Sequence, residues 1–215
     1  MTEEKAKVMS AISETLAALK ILPVLTVKDV DEAIALCQAL KQGGIKAVEI
    51  TLRTPAAMDA LREVKRAFPD LLVAAGTVNS VQAMDAVNAA GVDFALSPGM
   101  TPALIQRAQV LGLPFVPGVA TASEILKAME FGVDCFKLFP AEVSGGVNLL
   151  KAWAEPLAGI SFCPTGGVSE DNFRSYLALP NVLCVGGSWI APKSAIAEQD
   201  WGTIVEKTRA ALATA

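Results

Sequence analysis

Gly91-Val92-Asp93-Phe94-Ala95-Leu96-Ser97-Pro98-Gly99 and Gly132-Val133-Asp134-Cys135-Phe136-Lys137-Leu138-Phe139-Pro140 open on the same phrase. In each, a glycine closes a helical pattern, an aspartate follows within two residues, and a short apolar run starts at once. Glycine tolerates the left-handed backbone that ends a helix, and a short apolar run bounded by turn residues reads as a buried strand. Moving outward from these two stretches, six more runs of the same kind appear: ILPVLT from Ile21, AVEITLR from Ala47, LLVAAGT from Leu71, FVPG from Phe115, ISFCPTGG from Ile160 and VLCVGGS from Val182. The eight runs start 20 to 26 residues apart, the length of one strand plus its crossover helix.

The helix signals between the runs agree. Asp29 with Glu32 and Thr121 with Glu124 have capping-box spacing, in which each side chain satisfies a free amide at the helix start. Thr54-Pro55 and Thr101-Pro102 put proline at the first helical position after a threonine cap. Gly43 and Gly44, Gly91, Gly112 and Gly132 stand where helices should stop. Eight βα units without a linker predict one α/β domain over residues 1–215, a (β/α)8 TIM barrel. A doubly wound sheet would more often show fewer strands and a glycine-rich loop after the first, whereas here that loop is Thr26-Val27-Lys28-Asp29. Residues 3–19 predict an extra N-terminal helix that would plug the barrel's N-terminal end.

Composition narrows the class. Hydrophobic residues make up 53% of the 215 and aromatics only 6%, an excess of small and branched side chains suited to buried parallel strands and their covering helices. The apolar stretches are short and interrupted, so no membrane span is expected. The first residues, MTEEKAKVMS, lack the apolar core of a secretory signal, and the chain reads as cytoplasmic. Net charge is −4, from 18 basic and 22 acidic residues with no basic block, which argues against a nucleic-acid partner. Cys37, Cys135, Cys163 and Cys184 form no CxxC pair and read as reduced, buried residues. Histidine is absent, which removes the commonest metal ligand and general base. No metal and no cofactor is expected, and proton transfer falls to Glu, Asp, Lys, Tyr or Cys.

Alternate residues on barrel strands point inward, and reactive groups gather at the strands' C-terminal ends. In the second run, period two sets Glu49, Thr51 and Arg53 on one face and Val48, Ile50 and Leu52 on the other. The apolar face must meet the helices, so Glu49 and Arg53 point to the axis or mouth, where Arg53 can grip a carboxylate with two parallel hydrogen bonds. An internal ion pair with no catalytic part is the competing account. In the sixth run Lys137 shares the inward face with Cys135 and Phe139. Lysine is almost never buried without a partner. Desolvation disfavours its charged form and exposes a nucleophilic amine, although a structural Lys paired to an acid would look the same. Thr165-Gly166-Gly167 and Gly186-Gly187-Ser188 close the seventh and eighth runs, where this fold cradles phosphate on bare backbone amides.

An amine nucleophile, one carboxylate, a carboxylate-binding arginine and a phosphate cradle together fit a phosphorylated 2-keto acid. Two other accounts stay open: a sugar-phosphate epimerase or isomerase in which Lys137 and Glu49 only exchange protons, and a non-catalytic sugar-phosphate sensor.

Six stretches also carry a resemblance: EITLRT (residues 49–54), AAGTV (74–78), SPG (97–99), FKLFPAE (136–142), FCPTGG (162–167) and CVGGSW (184–189). With these the chain resembles the 2-keto-3-deoxy-6-phosphogluconate (KDPG) aldolases, a family that often also cleaves 4-hydroxy-2-oxoglutarate (KHG). The resemblance implies that Lys137 forms the Schiff base and Glu49 is the general acid–base. It implies that Arg53 and Thr77 bind the substrate carboxylate and that Pro98 and Phe139 line the pyruvate pocket. Thr165, Gly166, Gly167, Gly186, Gly187 and Ser188 would take the phosphate. It further implies a homotrimer and a class I aldolase releasing pyruvate and glyceraldehyde 3-phosphate.

Overall fold

The structure is a computed structural model that describes residues 12–215; most of the expected N-terminal helix, residues 3–11, lies outside them. The described part of that helix, α1, covers residues 12–19. The chain then runs β1 (Ile21–Leu25), α2 (Val30–Gly43), β2 (Ala47–Thr51), α3 (Ala57–Ala67), β3 (Leu72–Gly76), α4 (Val81–Ala89), β4 (Phe94–Leu96) and α5 (Pro102–Leu111). It continues β5 (Phe115–Val116), β6 (Gly118–Val119), α6 (Ala122–Met129), β7 (Cys135–Leu138), α7 (Gly146–Trp153) and β8 (Ser161–Pro164). It ends with α8 (Phe173–Leu177), β9 (Val185–Gly187), α9 (Lys193–Ala197) and α10 (Trp201–Leu212).

The strands pair in parallel in two curled sheets. One has the order β5-β4-β3-β2-β1-β9 and the other β6-β7-β8. Each of the eight apolar runs holds a strand, and the fifth holds two. Pro117 divides it, because proline has no amide N–H to continue a ladder. Phe115 and Val116 pair with β4, while Gly118 and Val119 pair with β7. Isolated bridges from Phe162 to Val182 and from Thr165 to Gly186 join the second sheet to the β9 region.

Strand alternation sorts the apolar residues into two cores. Val48, Ile50, Phe136 and Leu138 belong to the larger cluster beneath the helices. Their neighbours Ala47 and Cys135 belong to an inner cluster with Leu22, Ala74, Phe94, Leu96, Val116, Cys163 and Cys184. Ile12, Leu16 and Leu19 of α1 pack into the same inner cluster. Period two therefore holds at the strands that carry Glu49 and Lys137.

Most of the expected caps form. Thr121 and Glu124 make the full reciprocal box, and Thr101 accepts from the amide of Leu104 with Pro102 behind it. Asp29 accepts from the Glu32 amide, but Glu32 returns its carboxylate to the amide of Lys28 rather than of Asp29. Thr54 does not cap: α3 begins later, after Ala56, and the Thr54 hydroxyl donates to the Val27 carbonyl at 2.8 Å. That tertiary acceptor competes with the local one. Gly44 and Gly112 end α2 and α5 in the left-handed conformation, at φ 107° and 65°.

Candidate functional site

Glu49 on β2 and Lys137 on β7 lie 88 residues apart in sequence and meet inside the barrel-like interior. The Lys137 ammonium nitrogen stands 2.8 Å from Glu49 Oε1 and 3.1 Å from Oε2. Glu49 is 0% exposed and Lys137 4%. Thus the carboxylate near Glu49's strand pairs with the lysine and not with Arg53. Two buried opposite charges satisfy each other here, and their separation is within reach of direct proton transfer.

The neighbours leave room for this pair. Ala74 stands opposite Glu49 on β3 and Gly76 opposite Thr51. A Cβ on Gly76 would lie 2.1 Å from Glu49 Oε1. Gly118 and Cys163 oppose Lys137 on either side, and a Cβ on Gly118 would lie 2.4 Å from the carbonyl carbon of Pro98. Cys135, Cys163 and Cys184 are fully buried in the same interior, with the Cys163 and Cys184 sulfurs 3.3 Å apart. Burial pushes the Cys135 thiol up, and contact with Cys163 together with burial does the same for Cys184. The Cys135 and Cys184 thiols stay neutral and form part of an uncharged surrounding for the amine.

A cavity of about 1060 Å³ opens beside the pair. Its wall includes Arg53, Phe139, Thr165, Gly166, Gly167, Gly187 and Ser188, seven of the residues picked out from the sequence. Lys137 and Glu49 are not themselves wall residues; the Lys137 nitrogen is 5.5 Å from the centre of the ring of Phe139, which is one. Thr77 joins the site through Arg53, whose Nε donates to the threonine hydroxyl at 3.3 Å. Thr77 also takes φ 62°, unusual for a residue other than glycine. Gly186 sits under the wall, where a Cβ would lie 2.2 Å from Thr165 Oγ1. Pro98 is outside the wall, with its carbonyl against Gly118. Gly166 and Gly167 both have positive φ, 96° and 83°, a conformation open to glycine at little cost.

Four of the wall residues that were not picked out from the sequence bear on the cavity's charge and shape. Lys28, Glu32, Lys193 and Trp189 face the same cavity; Lys28 is paired with Glu32 at 3.3 Å, while Lys193 adds a second cation to the wall. Lys28 follows β1 and Lys193 follows β9. Both were findable from the rule that every strand's C-terminal loop contributes to one mouth. Among the described residues no group of three or more His, Cys, Asp or Glu converges as metal ligands, and no helix is long and apolar enough to cross a membrane.

Comparison with known proteins gives the family. The sequence pattern of the KDPG and KHG aldolases matches residues 12–207. The 2-dehydro-3-deoxy-phosphogluconate aldolase of Pseudoalteromonas atlantica is 46% identical over 195 residues, covering 91% of each chain. A crystal structure of KDPG aldolase from Legionella pneumophila, with pyruvate captured as a covalent carbinolamine, superposes with a TM-score of 0.90. It is 43% identical and covers 93% of this chain and 97% of its own. The Zymomonas mobilis KDPG aldolase with 3-phosphoglycerate gives a TM-score of 0.91 at 36% identity, covering 96% and 97%.

Proposed function

The chain belongs to the KDPG and KHG aldolase family, and from that premise we propose that Lys137 and Glu49 are the residues that carry its chemistry. It is a carbon–carbon lyase that works through a Schiff base and cleaves KDPG to pyruvate and glyceraldehyde 3-phosphate. The observation that supports this residue assignment is the buried Lys137–Glu49 contact at 2.8 Å.

Lys137 adds to the C2 ketone, and loss of water from the carbinolamine gives an iminium that withdraws electrons from C3. Glu49 takes the proton of the C4 hydroxyl. The C3–C4 bond breaks, its electron pair passing into the iminium; glyceraldehyde 3-phosphate leaves and a pyruvate enamine remains. Glu49 returns the proton to C3, and hydrolysis frees pyruvate and Lys137. Arg53, supported by Thr77, holds the carboxylate, with Pro98 and Phe139 beside the pyruvyl group. Thr165, Gly166, Gly167, Gly186, Gly187 and Ser188 take the phosphate, and Lys193 adds charge to the same cavity. Cleavage of KHG to pyruvate and glyoxylate belongs to the same reading, since it needs the same C2 ketone and C4 hydroxyl and no phosphate.

The two sheets form the arcs of one (β/α)8 barrel closed at Pro117 and through the Phe162 and Thr165 bridges, with α1 as the plug of its N-terminal end. This reading is supported by the inner cluster that α1 shares with seven strands. The enzyme is a homotrimer. Val110, Leu126 and Met129 are 71%, 56% and 40% exposed on α5 and α6, whose C-terminal ends touch through the Gln109 amide and the Phe131 carbonyl, and they supply apolar surface for subunit contact. The location is cytoplasmic, where a phosphorylated acid that cannot cross a bilayer unaided is made and consumed.

Pyruvate release from KDPG, followed in a coupled assay for wild type and Lys137→Ala, tests the assignment. The substitution should lower kcat on the order of 10⁴-fold or more; near-normal turnover would remove Lys137 from the mechanism.

A further inference from the structure

The phosphate loop is held from behind. The Thr165 carbonyl accepts from the Ala141 amide at 2.8 Å, and the Gly166 carbonyl accepts from the Glu142 amide at 3.0 Å. The Gly167 carbonyl accepts from Asn172 Nδ2 at 3.0 Å, and Asn172 Oδ1 in turn accepts from the Ser169 amide at 2.8 Å. In a trans peptide the N–H points opposite to the carbonyl of the same plane. Three consecutive N–H groups, those of Gly166, Gly167 and Val168, are therefore turned the other way. None of them meets a protein acceptor among the described residues, and all three residues line the 1060 Å³ cavity.

The same backing is tied to buried groups. Glu142 lies across Gly167, where a Cβ would come within 2.5 Å of its Cγ. The hydroxyl of fully buried Tyr176 donates to Glu142 Oε1. Burial and the adjacent Glu142 carboxylate push the Tyr176 phenol up, so it remains a donor. Glu142 and Asn172 line a neighbouring groove and not the anion cavity; the carboxylate is thus on the far side of the loop from any bound anion. Phe173, between Asn172 and Tyr176, stacks on Trp189 at 5.4 Å, and Trp189 covers Gly187. One short helix, α8, thereby reaches both glycine loops and the strand extension that follows Lys137.

We propose that Asn172, Tyr176 and Glu142 are positioning residues that hold the amides of Gly166, Gly167 and Val168 turned toward the substrate phosphate. The proposal rests on the phosphate reading above and deepens it: these side chains touch no substrate and act by fixing which way three peptide planes face. Successive N–H groups aimed at one point bind an anion strongly only if they are aimed before it arrives.

The test uses the full-length chain and the variants Tyr176→Phe, Asn172→Ala, Glu142→Ala and Glu142→Gln. KM and kcat are measured on KDPG. Inorganic phosphate binding is measured directly by titration, and pyruvate capture at Lys137 by borohydride. In Tyr176→Phe and Asn172→Ala, KM and the phosphate dissociation constant should both rise about tenfold, the effect of losing roughly one hydrogen bond. The fall in kcat should be less than about threefold in the same variants. Glu142→Gln keeps an acceptor for the tyrosine and should stay within about threefold of wild type, whereas Glu142→Ala should follow Tyr176→Phe. Unchanged KM and phosphate affinity in Tyr176→Phe and Asn172→Ala would overturn the proposal. So would a joint loss of kcat, pyruvate capture and thermal stability, which marks general loosening. Failure of the wild type to capture pyruvate would overturn the Schiff-base reading instead, while phosphate titration would still decide this one.

Discussion

Gly76 has no side chain where Glu49 needs space. A methyl there would stand 2.1 Å from the carboxylate oxygen, and Glu49 is buried and held by Lys137. Gly76→Ala should therefore displace the carboxylate from Lys137 and lower kcat by at least about tenfold, with a cost of roughly 1–3 kcal/mol in stability from overpacking. Chemical denaturation and steady-state kinetics on the same preparation check both. Glu49→Gln keeps the volume and removes the base, and should cost about 10²–10⁴-fold in kcat. At this scale Lys137 and Glu49 were legible, because a charged residue on the inward face of an apolar strand needs a reason. Their mutual contact was not, since nothing local in either strand chooses Lys137 over Arg53 as the partner of Glu49. Lys28 and Lys193 were missed because an exposed lysine a few residues past a strand carries no pattern of its own.

Among the elements, α6 carries the clearest local signature. The Thr121 hydroxyl accepts from the Glu124 amide, while the Glu124 carboxylate accepts from the amides of Ala120 and Thr121. Thr121→Ala should cost about 1 kcal/mol, a Tm drop of roughly 2–4 °C for a chain of this size. Burial alone would raise the Glu124 carboxyl, but the hydrogen bonds from Ala120 and Thr121 outweigh it and the net shift is downward. A lowered folded value means that the contribution is present above the ordinary carboxylate range near 4.5 and is lost as pH falls through the folded value. The stability difference between wild type and Glu124→Gln should accordingly be larger at pH 7 than at pH 3. Equal differences at both pH values would remove Glu124 from the cap. Capping signals of this kind were readable wherever the partner is three residues away. They failed at Thr54, whose hydroxyl found the Val27 carbonyl 27 residues back, and the division of the fifth run at Pro117 was visible only once its two halves had partners.

Across the whole molecule, the inner cluster joins strands from both sheets around three thiols, with Cys37 buried separately under the helices. Burial raises the Cys37 thiol to about 12, so it stays protonated in the fold while the unfolded chain releases that proton near 9. Stability should then fall as pH rises from about 9 toward 12, the unfolded state binding fewer protons in that window. Alkaline titration monitored by circular dichroism checks this, and a chain whose stability is flat across that window would contradict it. The repeating βα period was legible from end to end because glycine exits, proline starts and apolar runs agree with one another. Which strands lie side by side was implied by that period alone.

The central claim is that Lys137 becomes covalently attached to pyruvate. Borohydride reduction of the protein in saturating pyruvate, followed by peptide mass analysis, tests it most directly. A stable pyruvyl adduct confined to the peptide carrying Lys137, and lost in Lys137→Ala, is the predicted result. A folded, pyruvate-saturated protein with no adduct, or with the adduct on another lysine, would contradict it.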